Sequence, residues 1–150
     1  MRKLTVSAVI LTVLSLAASS VGFSLDRTIS DTTARELVQD ALASLGAGGA
    51  GTKIAIEPWP YYWAPDFITL QAEVPHPATG RIESRYFAVN PWTGDVWDPF
   101  ACTRITSPTI KRKQEAIWNS AKLPDQAREI LQARTPACTP ANHRRNPEKK

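Results

Sequence analysis

The sequence predicts an α+β fold, with one N-terminal helix packed on a small antiparallel meander sheet and C-terminal helices after it. Three observations predict it. Apolar residues recur at three-and-four spacing between residues 34 and 45, alternate at period two between residues 68 and 89, and are separated there by turn-forming residues close enough for hairpins. A helix with one apolar stripe and a sheet with one apolar face bury each other, which is the α+β solution.

The first helix begins at Asp31, which stands where an N-cap belongs, and Ala34, Leu37, Val38, Ala41, Leu42 and Leu45 mark its buried face. It ends in the glycine run 46–51, which matches G-x-G-x-x-G in form. A phosphate-cradling loop leaves a strand and enters a helix, so that helix amides meet the anion. Here the run leaves a helix and enters the strand 52–57, so it reads as a connector.

Residues 57–65 then form a loop in which Pro58, Pro60 and Pro65 exclude a central strand. Four rings crowd it: Trp59, Tyr61, Tyr62 and Trp63. The strand that follows alternates Ile68, Leu70, Ala72 and Val74 with polar residues. Residues 76–80 turn the chain, and residues 81–90 alternate again as its hairpin partner. Asn90-Pro91-Trp92-Thr93-Gly94-Asp95 is a second turn, with Pro91 presetting one position and Gly94 accepting positive φ. Residues 96–100 complete a three-stranded meander. Ser107 and Pro108 start a second helix as N-cap and N1, with Ile110, Ile117, Trp118 and Ala121 on its apolar side. Leu123-Pro124-Asp125 interrupts it, and Ala127, Ile130 and Leu131 outline a short third helix.

Three segments are expected. Residues 1–22 read as a cleaved signal peptide: Met1-Arg2-Lys3 is positive, residues 4–18 are uncharged and mostly apolar, and small residues follow up to Gly22. The apolar run is shorter than the roughly 18 to 20 residues needed to cross a bilayer, so no stable membrane span is expected after cleavage. Residues 23–134 form the domain, and residues 135–150 a basic, largely disordered tail. These features point to a periplasmic or secreted protein. In such a compartment Cys102 and Cys138 are expected to form one disulfide, worth roughly 3 to 4 kcal/mol in the chain-entropy model. The net charge of +4 does not imply nucleic-acid binding, because residues 23–133 carry 11 basic and 13 acidic side chains.

The helix over residues 32–45, the strand ending Tyr86-Phe87-Ala88-Val89 and the turn from Asn90 to Val96 together resemble the PepSY family. Its members are small exported or membrane-attached domains whose pattern ends in a similar turn carrying Thr-Gly and an acidic residue. The resemblance implies a helix on a small antiparallel sheet and a role as an inhibitory or chaperoning module. This chain has Asn90 where the family favours Asp.

Catalysis requires a nucleophile, base and charge stabiliser within reach of one another. The chain has no G-x-S-x-G and no H-E-x-x-H, and its two histidines are His76 in a turn and His143 in the tail. Asp95 and Asp98 lie three residues apart on a strand, point to opposite faces and read as solvated turn acids. No metal site and no cofactor are expected. The candidate partner-binding residues are Trp59, Tyr61, Tyr62, Trp63 and Trp92, since aromatic residues on loops anchor interfaces. The same rings could instead plug the end of the sheet. The expected function is a non-enzymatic binding or inhibitory module that meets an envelope or secreted protein. A carbohydrate- or envelope-polymer-binding domain, or a small exported hydrolase, is the alternative.

Overall fold

The computed structural model describes residues 26–57, 64, 66–76 and 78–136. In chain order they form α1 (Asp31–Ser44), β1 (Lys53–Ile56), β2 (Ile68–Pro75), β3 (Ile82–Val89), β4 (Val96–Asp98), β5 (Thr103–Ile105), α2 (Pro108–Ala121) and α3 (Asp125–Gln132). The strands make one antiparallel sheet in the order β1-β2-β3-β4-β5, each pairing with its neighbour in sequence. The α+β class and the meander stand as expected, with two strands beyond the three-stranded core.

Register explains the core. Ile56 pairs with Leu70, Leu70 with Phe87, Ile68 with Val89, Val89 with Val96, and Val96 with Ile105, so all share one face. Ala34, Leu37, Val38, Ala41 and Leu42 of α1 pack on that face, joined by Ile110 and Ile117 of α2. Truncating Leu37, Leu42 or Leu70, each fully buried, would remove about 2–5 kcal/mol. On the opposite face Thr69, Ala88, Trp97 and Arg104 form one row. A second small core of Ala64, Phe67, Ala88 and Trp97 covers part of it.

Helix ends follow local chemistry. The N-cap of α1 is Ser30 rather than Asp31: its backbone is extended, and its hydroxyl accepts from the Thr33 N–H at 3.2 Å. Asp31 instead occupies the first turn, where its charge faces the positive end of the helix dipole. Leu45, expected on the buried face, is 51% exposed because the helix stops there. Gly46 then takes φ +66, and the N–H groups of Gly46, Ala47 and Gly48 return to the carbonyls of Ala43 and Leu42. The glycine run is thus a helix-to-strand connector. Ser107 caps α2 as expected, accepting from Ile110 N–H at 3.2 Å, with Pro108 first in the helix.

One expectation about strands needs correction, and one strand was not expected. The third strand of the meander ends at Asp98, not residue 100, since Pro99 has no N–H to continue a ladder. β5 has only three residues, of which Ile105 alone is buried, too short a pattern to announce itself in sequence. The signal segment, four rings of the aromatic loop, Cys138 and the tail from residue 137 lie outside the described residues, as does the expected disulfide between Cys102 and Cys138. Among the described residues no helix is long and apolar enough to cross a membrane.

Candidate interaction surface

The turn between β3 and β4 organises this end of the molecule. Asn90 is fully buried; its Oδ1 accepts from the N–H groups of Trp92 (3.0 Å) and Thr93 (3.3 Å), closing the turn. Its Nδ2 donates to the Leu131 carbonyl at 2.9 Å, which fastens the last turn of α3. The Pro91 carbonyl accepts from Thr28 and Ile29, tying the entry to α1 onto the same turn.

Asp95 overturns the expectation of a solvated acid, being only 4% exposed. Its Oδ2 accepts from the Thr93 hydroxyl at 2.8 Å and its Oδ1 from Gln114 Nε2 at 3.0 Å. Arg104 lies 3.7 Å from Oδ1 and supplies the opposite charge. Both oxygens are engaged, so the carboxylate pins α2 and β5 to the turn. Asp98 is half-buried, and its Oδ1 accepts from the N–H groups of Phe100 (2.9 Å) and Ala101 (2.8 Å), turning the chain after β4.

Arginine stacked on tryptophan recurs around α3. Arg104 lies 5.0 Å from the Trp97 ring centroid, Arg128 5.2 Å from Trp118, and Arg134 4.8 Å from Trp92. Arg104 also donates to the Gln132 carbonyl at 2.8 Å, a second clamp on the end of α3. A cavity of about 200 Å³ between α2 and α3 is lined by Gln114, Trp118 and Arg128 among others.

Of the residues predicted to bind a partner, Trp59, Tyr61, Tyr62 and Trp63 lie outside the described residues, and Trp92 is half-buried under Arg134. Arg134 also faces Asp66, 3.7 Å away on the segment that leads out of the aromatic loop. One guanidinium therefore joins Asp66 to the Trp92 ring. Beside it runs an apolar groove of about 480 Å³ lined by Leu123, Pro124, Ala127, Ile130, Leu131 and Arg134 among others. Ile130 is 65% exposed while its neighbour Leu131 is buried. Ile130-Leu131 showed in sequence as an apolar pair, although two neighbours on a helix can both face inward, as Leu37 and Val38 do, so the pair alone did not say that Ile130 turns outward. Arg134 and Asp66 carried no such signal, because their meeting depends on tertiary placement.

Trp97 belongs to the second core, packed on Ala64, Phe67 and Ala88. His76 lies 4.0 Å from Glu83 at the far end of the sheet, and His143 lies outside the described residues. Among the described residues no group of three or more His, Cys, Asp or Glu side chains is placed to hold a metal ion.

No protein-family model matches the chain, and no curated protein sequence does. A solved structure does match in shape: a chain from a type VI secretion system effector–immunity complex of Pseudomonas protegens. The likeness is one of fold. The TM-score is 0.51 at 19% identity, over 71% of this chain and 91% of the other.

Proposed function

We propose that this chain is an exported, non-enzymatic module that binds and inhibits a protein partner, using the surface built by Trp92, Arg134, Asp66 and Ile130 together with the aromatic loop of Trp59, Tyr61, Tyr62 and Trp63. In this reading residues 1–22 are a cleaved signal peptide, the domain is PepSY-like, and Cys102 and Cys138 form the bond that holds the tail.

The observation that carries the proposal is the exposed Ile130 groove set against an arginine stacked on Trp92. Interfaces concentrate their energy in such Trp and Arg anchors beside an apolar pocket. The fold likeness supports the same direction, since the matching chain comes from an effector–immunity complex. An inhibitory protein needs no catalytic constellation of its own.

A pull-down from envelope extract with the oxidised protein, confirmed free of reactive thiols in denaturant, tests it against Ile130→Glu and Arg134→Glu variants that melt like the wild type. One partner captured by the wild type and bound at least about 30-fold more weakly by either variant is the expected result, the loss of a hot spot of about 2 kcal/mol. Equal capture by all three proteins would remove this surface from the reading.

A further inference from the structure

In an antiparallel pair, alternate residues exchange hydrogen bonds with the neighbouring strand, and the residues between them turn their N–H and C=O groups to the other side. The Glu57 N–H donates to the Thr69 carbonyl at 2.9 Å, so the backbone groups of Lys53, Ala55 and Glu57 face β2. Those of Ile54 and Ile56 turn outward. The sheet order places β1 at the margin, where among the described residues it pairs with β2 alone.

The side chains of this edge are sorted by face. Ile54 and Ile56 pair with Ala72 and Leu70 on the face that α1 covers, and both are only partly buried against the core. A groove of about 490 Å³ lies between Thr52 and Ile54 at this edge and Arg35, Gln39 and Leu42 of α1. Lys53, Ala55 and Glu57 lie on the opposite face, and among the described residues neither charge is committed to an ion pair. Edges guarded against pairing carry charges that repel an incoming strand. The order Lys53-Ile54-Ala55-Ile56-Glu57 instead reverses its charge about its own midpoint.

We propose that β1 pairs with β1 of a second copy of the chain, antiparallel about Ala55, so that the two five-stranded sheets become one continuous sheet. In this register Ile54 exchanges hydrogen bonds with Ile56 of the second copy, and Ile56 with its Ile54, which uses every outward N–H and C=O of the two residues. Lys53 lies opposite Glu57 of the second copy, Glu57 opposite its Lys53, and the two small Ala55 side chains meet at the axis. A pairing centred on Ile54 would set Lys53 against alanine and need the Thr52 N–H, which already donates to the Gly49 carbonyl at 3.2 Å. One centred on Ile56 would set Glu57 against alanine and need an N–H from Pro58, which has none. Charge and donors thus select Ala55 together. The isoleucines of the second copy come to lie beside the groove along α1 and cover it. The two-fold contact is closed and uses one patch twice. β2 lies between this edge and β3, the strand that leads into the Trp92 turn, so the pairing does not draw on the Trp92 surface.

Sedimentation of the purified protein tests the pairing with the wild type, Lys53→Glu, Glu57→Lys, and an equimolar mixture of the two variants, each checked for folding by circular dichroism. The wild type is expected to dimerise. Each variant alone opposes like charges at both ends of the pairing and is expected to self-associate at least about 10-fold more weakly. The mixture restores opposite charges at both ends and is expected to dimerise again, a result that misfolded variants could not give. A wild type that stays monomeric up to roughly 100 μM, variants that dimerise as tightly as the wild type, or a mixture that stays monomeric would each overturn the proposal.

Discussion

Gly94 has φ +71, and a Cβ built there meets Ile117 Cδ1 at 2.8 Å and Leu37 Cδ1 at 3.2 Å. The turn residue is thus constrained twice, by its backbone and by the two helices that close over it. Gly94→Ala is expected to lower stability by about 1–3 kcal/mol, from left-handed strain plus crowding, measured by denaturant unfolding. A change within a few tenths of a kcal/mol would mean that Ile117 and Leu37 give way freely. The turn itself was readable in sequence, because Pro91, Thr93 and Gly94 act through local geometry. Burial of Asp95 was not readable, since its partner Gln114 arrives from 19 residues away. Asn90 sits between these cases: as an acceptor it closes a local turn, and as a donor it reaches α3.

That donor decides how α3 stays in place. Leu131 is the buried residue of the helix, and the Leu131 and Gln132 carbonyls are held by Asn90 and Arg104. Asn90→Asp keeps the acceptor for the turn but removes the donor and places a charge opposite a buried carbonyl. It is expected to cost at least about 2 kcal/mol and to raise amide exchange in α3 before the strands are affected. Uniform acceleration across α1, β2 and α3 would show instead that Asn90 supports the whole fold. The elements themselves were largely legible: α1, β2, β3 and α2 carry long periodic patterns or caps. β5 was not, with three residues and one buried side chain. Of the candidate surface, Trp92 was legible as an aromatic turn residue, whereas Arg134 became part of it only through stacking on that ring.

Across the molecule, α1 and α2 are joined on their outer side by Lys113, whose ammonium lies 2.8 Å from Asp40 and 3.4 Å from Glu36. The hydrogen bond with Asp40, opposed by partial burial and helped by both carboxylate charges, raises the Lys113 pKa above 10.5. A raised lysine stabilises the fold fully below its unfolded value and loses that contribution as pH climbs through the higher folded value. Lys113→Met is therefore expected to cost up to about 1 kcal/mol near neutral pH, with solvent screening limiting the effect, and the gap should close above pH 10.5. Unfolding curves of both proteins between about pH 8 and pH 12 check it; a constant gap would assign the loss to packing. At this scale the order of the sheet was legible from successive hairpins. That β4 pairs with only the last two residues of β3 was not, because the alternation of residues 82–89 reads the same whether or not a neighbour runs alongside. Where β4 stops is decided by Pro99 and Asp98 together. The attachment of α3 has a consequence for how such a protein diversifies. Ile130 looks outward from a helix moored by carbonyls, and carbonyls are common to every sequence. Residues on the outward side of α3 can therefore change from one lineage to the next without disturbing the core, so new recognition can arise on an unchanged scaffold.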